Sequence, residues 1–323
     1  PWAMPATEPQ RGAYRDALCE DLPDLARDRL VSVLFDRPVV LPRPTFHHLV
    51  SKAVAGARWL LDRPTLWTPA PPGLPGTAGD SPVAGAQRPD VLCLDLALAH
   101  HPDHPAEHRQ AFFAWVELQS FVSAGAVLWA AARAASRVWP ATGVTAPDGT
   151  PLDSGWPERF RRHLQGPAPT EGERWAVLEF DPWNQRTVFD QWMLARQVGA
   201  TLCEPSALLA TVRAQPPGAR HRWRVLNRCI WHTGSAAERD ALGHLMRDPA
   251  LGWHSPPANY HRMTKALLQH ALGAPAFPSH RAERMVPLAR WRDIAERTDD
   301  LVVKDPDSYG GQAVWLAPAP ALL

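Results

Sequence analysis

The sequence is poor in the signals that most directly announce a chemistry. It contains no GxxxxGK[ST] loop, no GxGxxG turn, no HExxH and no GxSxG, so P-loop, classical dinucleotide, zincin and α/β-hydrolase readings have no support. Its four cysteines, Cys19, Cys93, Cys203 and Cys229, are scattered without a CxxC pair. That spacing argues against a zinc site and a disulfide scaffold, and reads as buried free thiols. No apolar run approaches the roughly 20 residues of a membrane span. The Pro-rich, charged start PWAMPATEPQRGAYRDALCED lacks a signal-peptide core. A soluble, cytoplasmic protein with no membrane partner is expected. Charge of one sign is lacking too: 34 Lys and Arg oppose 33 Asp and Glu, for a net charge of +1. No global field draws in nucleic acid, and none is expected as a partner. The chain begins at Pro1, from which a missing upstream piece is expected.

What is present is ample core material. The 323 residues are 45% hydrophobic, and at about 150 residues per domain they imply two domains. The 35 prolines and 15 tryptophans constrain loops and core more than chemistry. Residues 14 to 36 have mixed three and four spacing of apolar positions interrupted at Pro23, which predicts two short helices. Residues 45 to 62 predict an amphipathic helix capped by Thr45, with Phe46, Leu49, Val50, Val54, Trp59, Leu60 and Leu61 on its buried side. His47 and His48 in its first turn point about 100° apart and read as solvated. Residues 64 to 89, rich in Pro and Gly, read as a loop. The histidines His100, His101, His104 and His108 read as an exposed turn, since prolines break any regular ligand spacing.

Strands are expected at 88 to 98 and 112 to 125, followed by an alanine-rich helix at 126 to 138. Glu117 on the second strand has two open readings, a site residue at a strand's end or the solvent-facing member of an alternating strand. The Pro- and Gly-rich segment 139 to 174 reads as a domain boundary. Beyond it the pattern predicts a strand at 174 to 182 and a helix at 184 to 199, capped by Asn184 and closed by Gly199. Strands at 200 to 209 and 222 to 232 follow. Next come a helix at 235 to 248 opened by a capping box of Ser235 and Glu238, a short strand around Trp253 and His254, and a helix at 259 to 273. This alternation implies a mostly parallel sheet whose ligands gather at the C-terminal strand ends. The residues expected there are Asp181, Asn184, Gln185, Arg186, Glu204, Asn227, Arg228 and the turn 255 to 259.

The closing stretch LVVKDPDSYGGQAVWL, residues 301 to 316, reads as strand, glycine loop, strand. Paired glycines let backbone N–H groups approach an anion, and a lysine on the preceding strand can meet the same anion. Phosphate binding and a plain hairpin turn are both open on the pattern alone. The order of these parts resembles the glycine-loop hairpin of ATP-grasp ligases, most closely the circularly permuted families related to glutathionylspermidine synthase. Two positions depart from that pattern: Asp305 separates Lys304 from Pro306, and Ala313 stands where a third glycine is usual. Arg88, Asp90 and the run Glu117, Gln119, Ser120, Ser123, Gly125 look like the N-terminal strands of the same families. Arg228 and Lys265 occupy places like those of the family's recurring arginine and lysine.

The resemblance implies an α/β fold with a mixed α/β region over 1 to 173 and a Rossmann-like pre-ATP-grasp domain over 174 to 283. The opening hairpin of an ATP-grasp domain would occupy 284 to 323, truncated at its C-terminus. It implies ATP-dependent ligation, in which a small-molecule carboxylate is phosphorylated and an amine or thiol displaces the phosphate. Lys304, Ser308, Tyr309, Gly310, Gly311, Gln312 and Lys265 would hold ATP, and Arg228 or Arg186 the carboxylate. The Mg²⁺ ligands are expected outside this chain, and the chain alone is expected to be inactive. The rival expectation is a non-catalytic α/β binding or scaffold module.

Overall fold

The computed structural model describes residues 6–33, 43–66, 74, 89–99, 112–121, 123, 125–140, 155–165, 172–216, 222–263, 267, 302–304 and 314–316. In chain order the helices are α1 (Glu8–Cys19), α2 (Asp24–Val33), α3 (Arg43–Leu61), α4 (Gly125–Val138), α5 (Trp156–Gln165), α6 (Val188–Val198), α7 (Pro205–Arg213), α8 (Ala236–Arg247) and α9 (Pro257–Arg262). The strands are β1 (Cys93–Ala99), β2 (Phe112–Gln119), β3 (Arg174–Leu178), β4 (Thr201–Cys203), β5 (Trp223–Asn227), β6 (Leu251–His254), β7 (Val302–Lys304) and β8 (Val314–Leu316). The fold is mixed α/β.

Contacts divide the chain into two units, each built from separate segments. One comprises Pro1–Pro44, Pro71–Val91 and Ser120–Asn259; the other Thr45–Ala70, Leu92–Gln119 and Tyr260–Leu323. The first unit is organised on a four-stranded sheet of order β4-β3-β5-β6, with every neighbouring pair parallel. The expectation of a parallel sheet over 174 to 258 is met. Parallel strands need covered faces, and alternation along β3 supplies two apolar ones. Trp175 and Val177 join Leu226 in a core with residues of α1, α2, α4, α5 and α6, among them Leu18, Leu30, Ala134, Leu164 and Leu194. Ala176 and Leu178 join Trp223, Val225, Leu251 and Trp253 against α7 and α8, through Leu208, Val212, Leu242 and Leu245.

The second unit contains two antiparallel hairpins. β1 pairs with β2 with a shift of register between Asp95 and Leu96, and β7 pairs with β8 with Lys304 opposite Val314. Leu60, Leu118, Met263 and Leu267 form its buried apolar cluster.

Local chemistry moved several boundaries. Helix α1 starts at Glu8 because Thr7 and Gln10 form a reciprocal capping box, a signal that lies ahead of the expected start at 14. Helix α3 begins at Arg43, and Thr45 sits inside its first turn instead of capping it; Pro44 needs no N–H partner there. Phe46 and Val54 are exposed, whereas Leu49 and Leu60 are buried. The segment 139 to 174 contains helix α5. The strand expected at 200 to 209 stops at Cys203, and Pro205 opens α7, since proline's fixed φ suits a first helical position and interrupts a strand ladder. Helix α6 is preceded by Thr187, while Asn184 belongs to a short 3₁₀ turn. Ser235 accepts the Glu238 N–H as expected, but the Glu238 carboxylate turns away and accepts the Ser206 N–H at 3.0 Å.

Two glycines are required for different reasons. Gly199 closes α6 at φ +69° with open space around a notional Cβ, whereas a Cβ at Gly234 would lie 2.6 Å from the buried ring of Phe180. Gly199→Ala should therefore cost about 1 kcal/mol through backbone strain. Gly234→Ala should cost about 1–3 kcal/mol through overpacking. Urea unfolding of both variants checks this; a costlier change at 199 than at 234 would contradict the packing described.

Candidate functional site

Chain order and sheet order diverge at β3. From β3 the chain passes through α6 to β4 on one side, then through α7 to β5 on the other. The region beyond the C-terminal ends of β3 and β5 is thus the topological switch point, where open α/β sheets gather ligands. The first residues past those ends are Glu179 and Arg228. Both are tied to the sheet edge by their backbones: the Glu179 N–H donates to Cys203 O at 3.2 Å, and the Arg228 N–H to Leu178 O at 2.8 Å.

Their side chains join two from α6 in a buried polar cluster. Glu179, Asp190, Gln191 and Arg228 are each less than one-tenth exposed. The Glu179 carboxylate accepts the Phe180 N–H through Oε1 at 2.9 Å and Gln191 Nε2–H through Oε2 at 3.0 Å. Burial pushes the Glu179 carboxyl up to about 8, against the opposing pull of the Arg228 guanidinium and the Phe180 N–H. Arg228 Nη1 lies 3.6 Å from Asp190 Oδ2, and its guanidinium sits 5.0 Å from the centre of the Phe121 ring. Asp190 also accepts the Val127 N–H at 3.1 Å, at the N-terminal turn of α4, where a negative charge is favoured. A carboxyl raised to about 8 leaves Glu179 mostly protonated at neutral pH, beside the Arg228–Asp190 pair. The cluster can lend a proton through Glu179, and it offers an incoming carboxylate a guanidinium already shared with Asp190.

A second polar group lies at the end of β6. His254 Nδ1–H donates to Asp90 Oδ2 at 2.8 Å, and the imidazole stacks on Trp175 with centroids 5.6 Å apart and planes 2° from parallel. Ser255, in the left-handed region at φ 54°, and Asn259 are buried beside it in sequence.

No family model matches the chain, and no curated protein matches it either.

The sequence-predicted residues fall in three places. Arg228, Asn227 and the 255 to 259 turn lie at C-terminal strand ends. Asp181, Asn184 and Arg186 are exposed in the turn between β3 and α6, where Asn184 Nδ2–H donates to Asp181 at 2.7 Å. Lys304 is the last residue of β7, while Arg88, Lys265, Ser308, Tyr309, Gly310, Gly311 and Gln312 lie outside the described residues, as do His100, His101, His104 and His108. His47 and His48 are exposed, as expected. Glu117 and Gln119 hydrogen-bond each other at 2.7 Å on β2. Among the described residues no group of three or more His, Cys, Asp or Glu converges on a point where a metal would sit. Cys19 and Cys229 are buried, whereas Cys93 and Cys203 are half-buried. Burial raises the Cys203 thiol to about 11 and the Cys229 thiol well above its ordinary value, which leaves both poor nucleophiles.

Glu179, Asp190 and Gln191 were missed. The expected strand 174 to 182 takes in Glu179, although a lone carboxylate in the run WAVLEF is itself a signal, because a parallel strand buried on both faces has no solvent side for it. Asp190 carries a similar signal among the apolar residues of α6.

The displaced Glu179 carboxyl makes a signed prediction. The unfolded carboxyl releases its proton near its ordinary 4.5 and the folded one only near 8, so folding retains a proton between those values. Its stabilising contribution is complete below about 4.5 and is lost as pH rises towards about 8, a change on the order of a few kcal/mol. Glu179→Gln should remove this slope from urea midpoints measured across the window; an unchanged slope would contradict the buried, protonated carboxyl. Asp190→Ala should cost about 3–5 kcal/mol in the same assay, because it removes the carboxylate that faces the buried Arg228 guanidinium.

Proposed function

We propose that this chain is an ATP-grasp-type, ATP-dependent carboxylate–amine or carboxylate–thiol ligase-like protein of the circularly permuted kind, with a Rossmann-like pre-ATP-grasp domain around the parallel sheet. The observation that supports the reading is the antiparallel β7–β8 pairing, which sets Lys304 opposite Val314; the sequence between these two residues contains Gly310 and Gly311. Backbone amides of a glycine loop and a lysine at its rim are suited to hold phosphate oxygens as point donors and a point charge. ATP would supply the phosphoryl group that activates the carboxylate, with Mg²⁺ offsetting its charge.

The chain's own residues have separate tasks in this reading. Lys304 and the amides of 308 to 312 hold phosphates, with Lys265 as a further contact. Arg228 holds a substrate carboxylate at the switch point, for which it must share its guanidinium with Asp190, and Glu179 is the neutral acid beside it. Arg186, exposed in the turn before α6, is the alternative anchor. The partners are then small molecules, a carboxylate and an amine or thiol, with no nucleic acid involved. No described helix is long and apolar enough to cross a membrane, and cytoplasmic ligation chemistry is compatible with that.

The non-catalytic module reading draws on one observation, the engagement of Arg228 by Asp190 and Phe121. Calorimetric titration with Mg-ATP separates the two. A charge-assisted contact nets about 1.5–3 kcal/mol, so Lys304→Ala should weaken Mg-ATP binding roughly ten- to hundredfold. Saturable binding that depends on Lys304 supports the ligase-like reading. Binding indifferent to Lys304, or none at millimolar Mg-ATP, would sink it in favour of the module.

A further inference from the structure

Further along α6 than Asp190 and Gln191, a cavity of about 270 Å³ lies between α6, α4 and the C-terminal end of α1. Ala17, Leu18, Leu22, Ala130 and Met193 give it an apolar wall, together with Trp129 and Trp192. It opens to solvent, because Glu20, Asp21, Arg137 and Arg196, which line it too, are exposed. Pockets for drug-sized ligands run from roughly 300 to 1,000 Å³, so an occupant here has the size of one or two rings.

The charges around the cavity do not cancel. Arg133, Arg137 and Arg196 bring three guanidinium groups to it, and Glu20 and Asp21 bring two carboxylates. Each carboxylate is engaged: Arg137 Nη1 lies 2.8 Å from Glu20 Oε2, and Arg196 Nη2 lies 4.0 Å from Asp21 Oδ1. Arg133 is left over. It is half-buried, its Cζ lies over the Trp129 ring at 4.7 Å from the centre, and no carboxylate among the described residues pairs with it. Stacking occupies the face of a guanidinium and leaves its in-plane N–H fork for a planar acceptor with two oxygens. The uncharged polar groups add no competing acceptor. Gln197 Nε2–H donates to Ala126 O at 3.2 Å and Trp192 Nε1–H to Asp21 O at 3.4 Å, while Gln197 Oε1 is fully buried and out of a ligand's reach. A phosphate dianion would bring two charges towards Glu20 and Asp21, whereas a carboxylate brings the single charge that Arg133 lacks. Indole rings and a thioether favour a flat aromatic body behind it.

We propose that the cavity between α1, α4 and α6 binds a small aromatic monocarboxylate, with Arg133 holding the carboxylate by a bidentate contact and Trp129, Trp192 and Met193 enclosing the ring. None of its residues serves the ligase-like reading, so the site stands or falls independently of Lys304 and Arg228.

Calorimetric titration with naphthoate, without nucleotide, tests this. The expected result is saturable binding at one site, with naphthamide, which keeps the rings but not the charge, and inorganic phosphate each bound about tenfold more weakly or worse. Arg133→Met keeps an unbranched side chain and removes the guanidinium, and it should weaken naphthoate by about tenfold or more. Ala130→Phe fills the cavity with Arg133 in place and should abolish binding. If Ala130→Phe fails to fold, as judged by circular dichroism, Arg133→Met decides alone, since it breaks no ion pair among the described residues. The absence of saturable binding at millimolar naphthoate would overturn the proposal. So would equal binding of naphthamide or phosphate, or binding unaltered in Arg133→Met, which would place the acid at another cation such as Arg228.

Discussion

The cost of taking charge out of water shapes the centre of this molecule. Glu179 and Arg228 follow the two central strands directly and are each less than one-tenth exposed, because helices cover both faces of the sheet they extend. The structure answers in two ways. Arg228 keeps its charge and is given a counter-ion, Asp190, which also satisfies the first turn of α4. Glu179 keeps its proton instead and accepts hydrogen bonds from its neighbour's backbone and from Gln191. A protonated acid beside a paired guanidinium costs far less than two anions sharing one cation in a low dielectric. Helix α4 contributes the Val127 N–H to this arrangement and α6 contributes Asp190 and Gln191.

Much of the first unit was legible in the sequence because its signals are local. The alternation of apolar runs with capped helices fixed the parallel sheet, and Gly199 and Ser235 marked a helix end and a helix start where the structure has them. Errors came where two local signals competed. Residues 200 to 209 are apolar enough for a strand, but Pro205 breaks any ladder and starts α7 instead. In α3, Phe46 and Val54 satisfy a helical stripe that the structure leaves in solvent, because periodicity identifies an apolar face without showing what is available to cover it.

The site was legible in part for a different reason. A rule about strand ends located Arg228, Asn227 and the 255 to 259 turn without any knowledge of their partners. Partnership itself is not local. Asp90 and His254 are 164 positions apart, and Asp190 and Val127 are 63 apart, so nothing in either neighbourhood announces the bond. Glu179 could have been found from sequence alone by asking where a carboxylate in a doubly covered strand finds its solvation.

The discontinuous second unit has a consequence for the order of events during synthesis. Leu60 and Leu118 are buried with Met263 and Leu267, and residues 120 to 259, which belong to the other unit, intervene. At roughly 5–20 residues per second, a ribosome takes about 7–28 seconds to add that intervening stretch. Throughout this interval α3 and the β1–β2 hairpin are present without the apolar residues that cover them, while the first unit's parallel sheet is being completed. Leu60 and Leu118 thus wait for Met263 and Leu267 for far longer than a hairpin takes to form.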